Sequence, residues 1–363
     1  MSFEVETLEQ IKTAEQQGIL ERIRQVRKEL GDRVLILGHH YQRDEVFQFA
    51  DRTGDSYGLS KFAAEKSKSD YIVFCGVHFM AETADILTPP ERAVILPDLK
   101  AGCSMADMAN QDQLYDCWED LFGYTDETII PVTYVNSTAT IKAFCGRHGG
   151  AVCTSANADK ILEWAFTQGE KVLFLPDQHL GRNTAYKMGI PLDKMAVYEP
   201  RIPGGGASPE DYDRAKVILW QGYCSVHMNF QSRHVDLFRE KYPGINILVH
   251  PECIFEVVQK ADYVGSTSYI VKVIEEAPTG SKWAIGTEHH LVNRLKNNYP
   301  DKFVSTLSPF ACQCATMYRI SPEWLLNSLE GLKCGEVISQ ISVPGDIASD
   351  ARIALNRMLE ITG

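Results

Sequence analysis

The chain has no basic excess, no long apolar run and none of the short motifs that mark common nucleotide and zinc enzymes. Among 363 residues, 36 are Lys or Arg and 48 are Asp or Glu, so the net charge is −12. A general nucleic-acid binder needs a cationic face to displace phosphate counterions, and this balance speaks against that class. Small anionic substrates stay open, because the local field of a site can oppose the net charge. No apolar run approaches the ~20 residues of a membrane helix. The opening Met1–Gln10 is acidic and has no apolar signal core, so the expectation is a cytoplasmic protein without a membrane partner. There is no phosphate loop, no Gly-x-Gly-x-x-Gly after a strand and no His-Glu-x-x-His. Gly204–Gly206 runs into Ala207-Ser208-Pro209 and reads as a loop, and His289-His290 reads as a polar strand end.

Cysteine, by contrast, is plentiful: there are ten. A reducing compartment and a chain long enough to build cores make a disulfide framework the wrong explanation. Some thiols are expected to serve metal binding or catalysis, and the rest to pack as small hydrophobes.

The chain alternates short β-branched runs with helical patterns. Runs at Val34–Leu37, Tyr71–Phe74, Ala93–Leu96, Thr128–Val132, Lys171–Leu175, Val217–Trp220, Ile245–Val249, Trp283–Ile285 and Lys302–Thr306 are apolar on both faces, as in parallel strands covered by helices. Ile19, Ile23, Val26 and Leu30 share a helix face, as do Ile270, Val273, Ile274 and Ala277. The expected class is α/β. Three apolar strands run straight into polar residues: His39-His40-Tyr41, Tyr134-Val135-Asn136 and His250-Pro251-Glu252. Each module later reaches a cysteine after a strand, Cys103, Cys224 and Cys314, at intervals of 121 and 90 residues. The reading is a threefold repeat: modules over 1–120, 121–241 and 242–322, an inserted loop near 186–215, and a helical tail over 323–363 packing back on the modules. Leu325, Leu329 and Leu332 mark that tail's apolar face.

Ligands of open α/β sheets bind beyond the carboxyl ends of the strands, so three modules facing one centre could bring three cysteines to one site. Three thiolates on a cubane iron–sulfur cluster leave the fourth iron open as a Lewis acid. The strand-end imidazoles, phenols, amide and carboxylate suit proton transfer and carboxylate binding. Ser56, Ser155 and Ser266-Thr267 each precede a helical pattern, where they cap the helix, hold an anion beside its free N–H groups, or do both.

These residues together resemble the quinolinate synthase (quinolinate synthetase A) family over nearly the whole chain. The likeness rests on Gly38–Gln42, Gly54–Ser56, Ala81–Thr83, Ala101–Cys103, Tyr134–Thr138, Thr154–Ala158, Pro176-Asp177, Gly181–Asn183, Cys224–His227, His250–Cys253, Gly265–Thr267 and Cys314–Met317 in that order. The resemblance implies three similar αβα domains with parallel sheets around a pseudo-threefold axis. It implies a 4Fe–4S cluster on Cys103, Cys224 and Cys314, and condensation of iminoaspartate with dihydroxyacetone phosphate to quinolinate, phosphate and water in NAD biosynthesis. It assigns Tyr41, His250 and Glu252 to catalysis. It assigns His39, Ser56, Tyr134, Val135, Asn136, Ser155, His250, Pro251, Glu252 and Thr267 to substrate contact. Some members carry Cys-x-x-Cys-x-x-Cys at the third ligand; here it is Cys312-x-Cys314, and the following Ala-Thr-Met selects Cys314. The alternatives are an iron–sulfur hydro-lyase for another small acid and a cluster-based redox sensor. Iminoaspartate is unstable in water, so transient contact with the enzyme that supplies it is a further option. An open iron also implies sensitivity to oxygen.

Overall fold

The computed structural model describes residues 8–66, 68–310 and 312–362. Its framework is three sheets with helices packed against them. The first holds β1 (Val34–His39), β2 (Arg52–Gly54), β3 (Tyr71–Cys75) and β4 (Ala93–Ile95). The second holds β5 (Ile129–Tyr134), β6 (Ala151–Cys153), β7 (Lys171–Leu175), β8 (Met195–Tyr198) and β9 (Val217–Trp220). The third holds β10 (Asn246–Val249), β11 (Tyr263–Val264), β12 (Lys282–Gly286) and β13 (Phe303–Thr306).

One strand order recurs. It is β2-β1-β3-β4 in the first sheet, β6-β5-β7-β9 in the second and β11-β10-β12-β13 in the third, parallel throughout. The central pairs register alike, from Val34↔Tyr71, Ile129↔Lys171 and Asn246↔Trp283 onward. The α/β class and the repeated layout agree with the sequence. The stretch expected as an inserted loop adds an edge strand, β8, parallel to β9, and a short helix over Pro209–Arg214.

The nine runs read as strands all form strands, two of them, Lys171–Leu175 and Val217–Trp220, residue for residue. The sequence reading lacks β2, β6, β8, β11 and a two-residue β14 (Gln340–Ile341). All five are short strands at sheet edges, where the doubly buried apolar run of a central strand is not required. Antiparallel β14 extends the first sheet beyond β4. The tail's helix Pro322–Lys333 buries Leu325, Leu329 and Leu332 and packs on helix Leu8–Leu30. Its last helix, Gly345–Thr362, packs on helix Ala139–Arg147 and covers β6. Among the described residues no helix is long and apolar enough to cross a membrane.

Candidate active site

The carboxyl ends of the first strands of all three modules reach one cavity. His39 ends β1, Tyr134 ends β5 and His250 follows β10. The cavity is lined by His39, Tyr41, Ser56, Tyr134, Val135, Asn136, Ser155, His250, Glu252 and Thr267, together with Cys103, Cys224 and Cys314. Every residue that the family resemblance assigned to catalysis, substrate contact or the cluster is there except Pro251. That proline is turned toward a neighbouring cleft beside Tyr269, and its carbonyl accepts from Asn183 Nδ2 at 2.8 Å.

The three cysteines share one local structure. Each is followed at its third residue by a 3₁₀ turn: Ala106–Met108, His227–Asn229 and Met317–Arg319. Each carbonyl accepts from the N–H four residues on, at 3.0, 3.1 and 3.0 Å. An α-helix starts eight residues after each, at Gln111, Ser232 and Pro322. Cys314 meets this spacing and Cys312 does not. Cys312 is buried, sits with its Sγ 3.5 Å from the Phe310 carbonyl, and does not line the cavity. No cysteine is in a disulfide. Burial pushes the Cys103 thiol up to about 12 and raises Cys224 and Cys314 as well. A bound cation reverses that penalty and makes thiolates.

Glu252 anchors the polar half. Burial favours its neutral form, but the adjacent His227 imidazole, with hydrogen bonds from His227 and Tyr134, outweighs this and holds the carboxyl below the usual carboxylate range. Its Oε2 lies 2.8 Å from His227 Nδ1. His227 Nε2 lies 3.2 Å from Thr287 Oγ1, which lies 2.7 Å from the Tyr41 hydroxyl. A continuous path therefore runs Tyr41–Thr287–His227–Glu252. Burial, with the charge of Glu252, raises the Tyr41 phenol well above its usual range, so it is a proton donor. Burial lowers both His39 and His250 to about 3. They are neutral, each with Nδ1 accepting a backbone N–H, from Tyr41 at 3.1 Å and Glu252 at 3.3 Å. Asn136 Oδ1 is buried without a partner, an acceptor left for a ligand. Ser266 caps helix Thr267–Glu276 through Tyr269 N, so the helix N-terminus and Thr267 face the cavity together.

Sequence reasoning gave no role to His227 or Thr287. His227 stood in the quoted Cys224-Ser-Val-His string. Thr287 directly follows β12, and the strand-end rule that found His39 and Tyr134 reaches it too.

A buried carboxylate linked to an imidazole and a phenol, beside three converging thiols in an α/β fold, is an arrangement suited to proton transfer on a small molecule. The family model described as quinolinate synthetase A protein matches residues 21–360. A quinolinate synthase of Geobacillus sp. (strain WCH70) is 56% identical over 359 residues, covering 97% of this chain and 96% of that one. One from Herpetosiphon aurantiacus is 57% identical over 347 residues, 94% and 92% of the two chains. One from Bacillus anthracis is 54% identical over 358 residues, 98% and 97%. The chain belongs to the quinolinate synthetase A family.

The residues present are suited to metal. Cys224, His227 and Glu252 offer ligand atoms all within 4.8 Å of one another. Cys103, Cys224 and Cys314 line the same cavity but do not form such a narrow group among the described residues. Ligands of one tetrahedral ion lie within about 4 Å of each other, so the three thiols suit a larger, multi-iron group better than a single ion.

Proposed function

We propose that this chain condenses iminoaspartate with dihydroxyacetone phosphate to form quinolinate, with loss of phosphate and two waters, as a cytoplasmic step of NAD synthesis. The observation that carries this reading is the convergence of three cysteine turns and the Tyr41–Thr287–His227–Glu252 path on one cavity, in a chain of this family. Modules over 1–120, 121–241 and 242–322 around a pseudo-threefold axis belong to the same reading, as does transient contact with the enzyme that supplies iminoaspartate. Cys103, Cys224 and Cys314 would hold a 4Fe–4S cluster whose open iron supplies Lewis-acid assistance to loss of a hydroxyl.

The chain's own residues do the rest. Glu252 is ionised at neutral pH and takes a carbon-bound proton next to a leaving group. Its place beside His227 lets that proton travel through Thr287 to Tyr41, or return along the same path, in the positions where a carbonyl or hydroxyl oxygen needs it. Such contacts are often loosely aligned without substrate and tighten when it binds. Neutral His39 and His250 donate from Nε2 to carboxylate or phosphate oxygens. Ser56, Ser155 and Thr267, with the helix N-termini beside them, hold anionic groups. Asn136 Oδ1 accepts from the imine nitrogen. Burial of the cavity keeps water from the hydrolysable imine.

The test is the iron and acid-labile sulfide content of chain purified without oxygen, followed by the quinolinate assay. About four of each per chain, with quinolinate formed only when both substrates are present, is the expected result. Failure to take up iron and sulfide on anaerobic reconstitution after any bound zinc has been chelated, or a filled cluster with no quinolinate, would overturn the reading. A hydro-lyase would turn over a single acid, and a redox sensor would turn over neither substrate.

A further inference from the structure

The three cysteine turns share a backbone form but differ in a side chain that could bind metal. The residue three places after the cysteine is Ala106 in the first module and Met317 in the third, but His227 in the second. Cys224 lies just before this turn, and its Sγ is within 4.8 Å of a His227 ring nitrogen. Glu252 comes to the same point from the loop after β10. The ligand atoms of the three residues all lie within 4.8 Å of one another. His227 and Glu252 are buried. His227 Nδ1 lies 2.8 Å from the Glu252 carboxylate and has no other polar partner.

We propose that in the cluster-free chain a single zinc-class divalent ion binds to Cys224 Sγ, His227 Nδ1 and one Glu252 oxygen, and that this ion and the iron–sulfur cluster exclude each other. A thiolate, an imidazole and a carboxylate form a borderline donor set with a fourth, open tetrahedral position. Among divalent ions such a set favours zinc and copper over iron(II). Binding releases the Cys224 thiol proton to solvent and involves no redox change. One ion thereby removes Cys224 from the cluster, and His227 and Glu252 from the proton path. Excess zinc therefore blocks cluster assembly and a chelator reverses the block. Only the exclusion rests on the proposed cluster; the ion site itself stands on the triad.

The experiment titrates cobalt(II), a spectroscopic stand-in for zinc, into full-length chain freed of cluster and metal by chelation. The expected result is one cobalt per chain, with thiolate charge-transfer absorption and tetrahedral visible bands. Cys103→Ser and Cys314→Ser keep the signal. His227→Ala and Glu252→Ala each weaken affinity by more than about tenfold, the loss that removal of even an outer-shell partner brings. Thr287→Val, a neighbour that is not a ligand, controls for disturbance of the cavity, and circular dichroism controls for folding. Loss of the signal in Cys103→Ser, or unchanged affinity in folded His227→Ala, would overturn the site. Zinc-loaded chain should take up no sulfide on anaerobic reconstitution until zinc is chelated. Uptake at the normal level with zinc still bound would overturn the exclusion. None of these readouts needs quinolinate to form, so their failure is distinct from failure of the proposed reaction.

Discussion

Glu252 shows how a buried acid stays charged. Burial alone would neutralise it, and the adjacent His227 imidazole with the Tyr134 hydroxyl reverses the outcome. Replacing it by Gln keeps the shape and removes the base, so Glu252→Gln is expected to lower kcat by about 10²–10⁴-fold. Tyr41→Phe cuts the far end of the path and is expected to lower kcat in the same assay while leaving iron content unchanged. Wild-type rates in both variants would remove the proton path from the mechanism. Lys142 is a second buried charge, with its Nζ bonded to the Ser137 carbonyl behind the Tyr134–Ser137 loop. Burial lowers its pKa from 10.5 to about 8. Between those values the unfolded chain binds the proton and the folded chain does not, so this residue's contribution to stability rises with pH. The stability of wild type relative to Lys142→Met is expected to increase by up to about 3 kcal/mol between pH 8 and 10.5, measured by urea unfolding. Buried thiols such as Cys75, pushed up to about 12, act in the opposite sense above pH 9. Both chains share them, which is why the difference is the quantity to measure.

At the scale of elements, helix Gln178–Lys187 couples the second module to the third. Asp177 caps it, accepting from His179 N and Leu180 N at 2.8 Å each, and the Gln178 N–H donates to the Gly222 carbonyl at 2.9 Å, two residues before Cys224. One turn later Asn183 Nδ2 donates to the carbonyls of Pro251 and Cys253, both at 2.8 Å, one on each side of Glu252. A single helix therefore supports a cysteine turn and backs the Glu252 carboxylate. Asn183→Ala leaves two buried carbonyls unpaired and is expected to cost about 1–3 kcal/mol of stability. It should also lower kcat by about tenfold, because small misplacements of a positioned group cost up to about 10²-fold. A kcat that does not move in a folded Asn183→Ala variant would leave the asparagine with a packing role alone. The elements themselves were unevenly legible. Central strands such as β7 and β9 announce themselves by continuous apolar runs. Edge strands β2 and β11 are two or three residues long with exposed positions. β6 is covered in part by the C-terminal helix, a contact more than 190 residues away in sequence.

For the whole molecule, the tail fastens the first two modules together. β14 pairs with β4 in the first sheet, while Gly345–Thr362 lies on helix Ala139–Arg147 in the second. Arg147 pairs with Asp350 at 2.8 Å, and Arg352 Nε donates to the Ile86 carbonyl at 3.0 Å. Gly146 permits the approach, since a Cβ there would lie 1.9 Å from the Asp350 carbonyl oxygen. Deleting 343–363 uncovers the surface that buries Ala351, Ala354, Leu355 and Met358. The truncated chain is expected to melt more than about 10 °C lower by calorimetry, because a loss of several kcal/mol moves a domain's Tm by about that much; an unchanged melting temperature would make the tail dispensable. The open iron of the proposed cluster would be reached by oxidants as well as by substrate. Activity is therefore expected to fall in air and return on anaerobic reconstitution with iron and sulfide, and full activity in iron-free protein would contradict the cluster.

The amino-acid sequence by itself determined the α/β class, the central strands, the polar strand ends and the three cysteines, because each depends on periodicity or on residue type at a short spacing. Cys314 was favoured over Cys312 by the string that follows it, and the shared turn-and-helix spacing supports the same choice. Tertiary structure decided what depends on distant contacts. It placed Thr287 between Tyr41 and His227, residues 246 and 60 positions away. It turned Pro251 out of the cavity and gave Asn183 its two carbonyls. It set Glu252 against His227 and kept the carboxylate charged. A lone residue's chemistry is written in its side chain, but its ionisation and its partners come from neighbours that only the folded chain brings near.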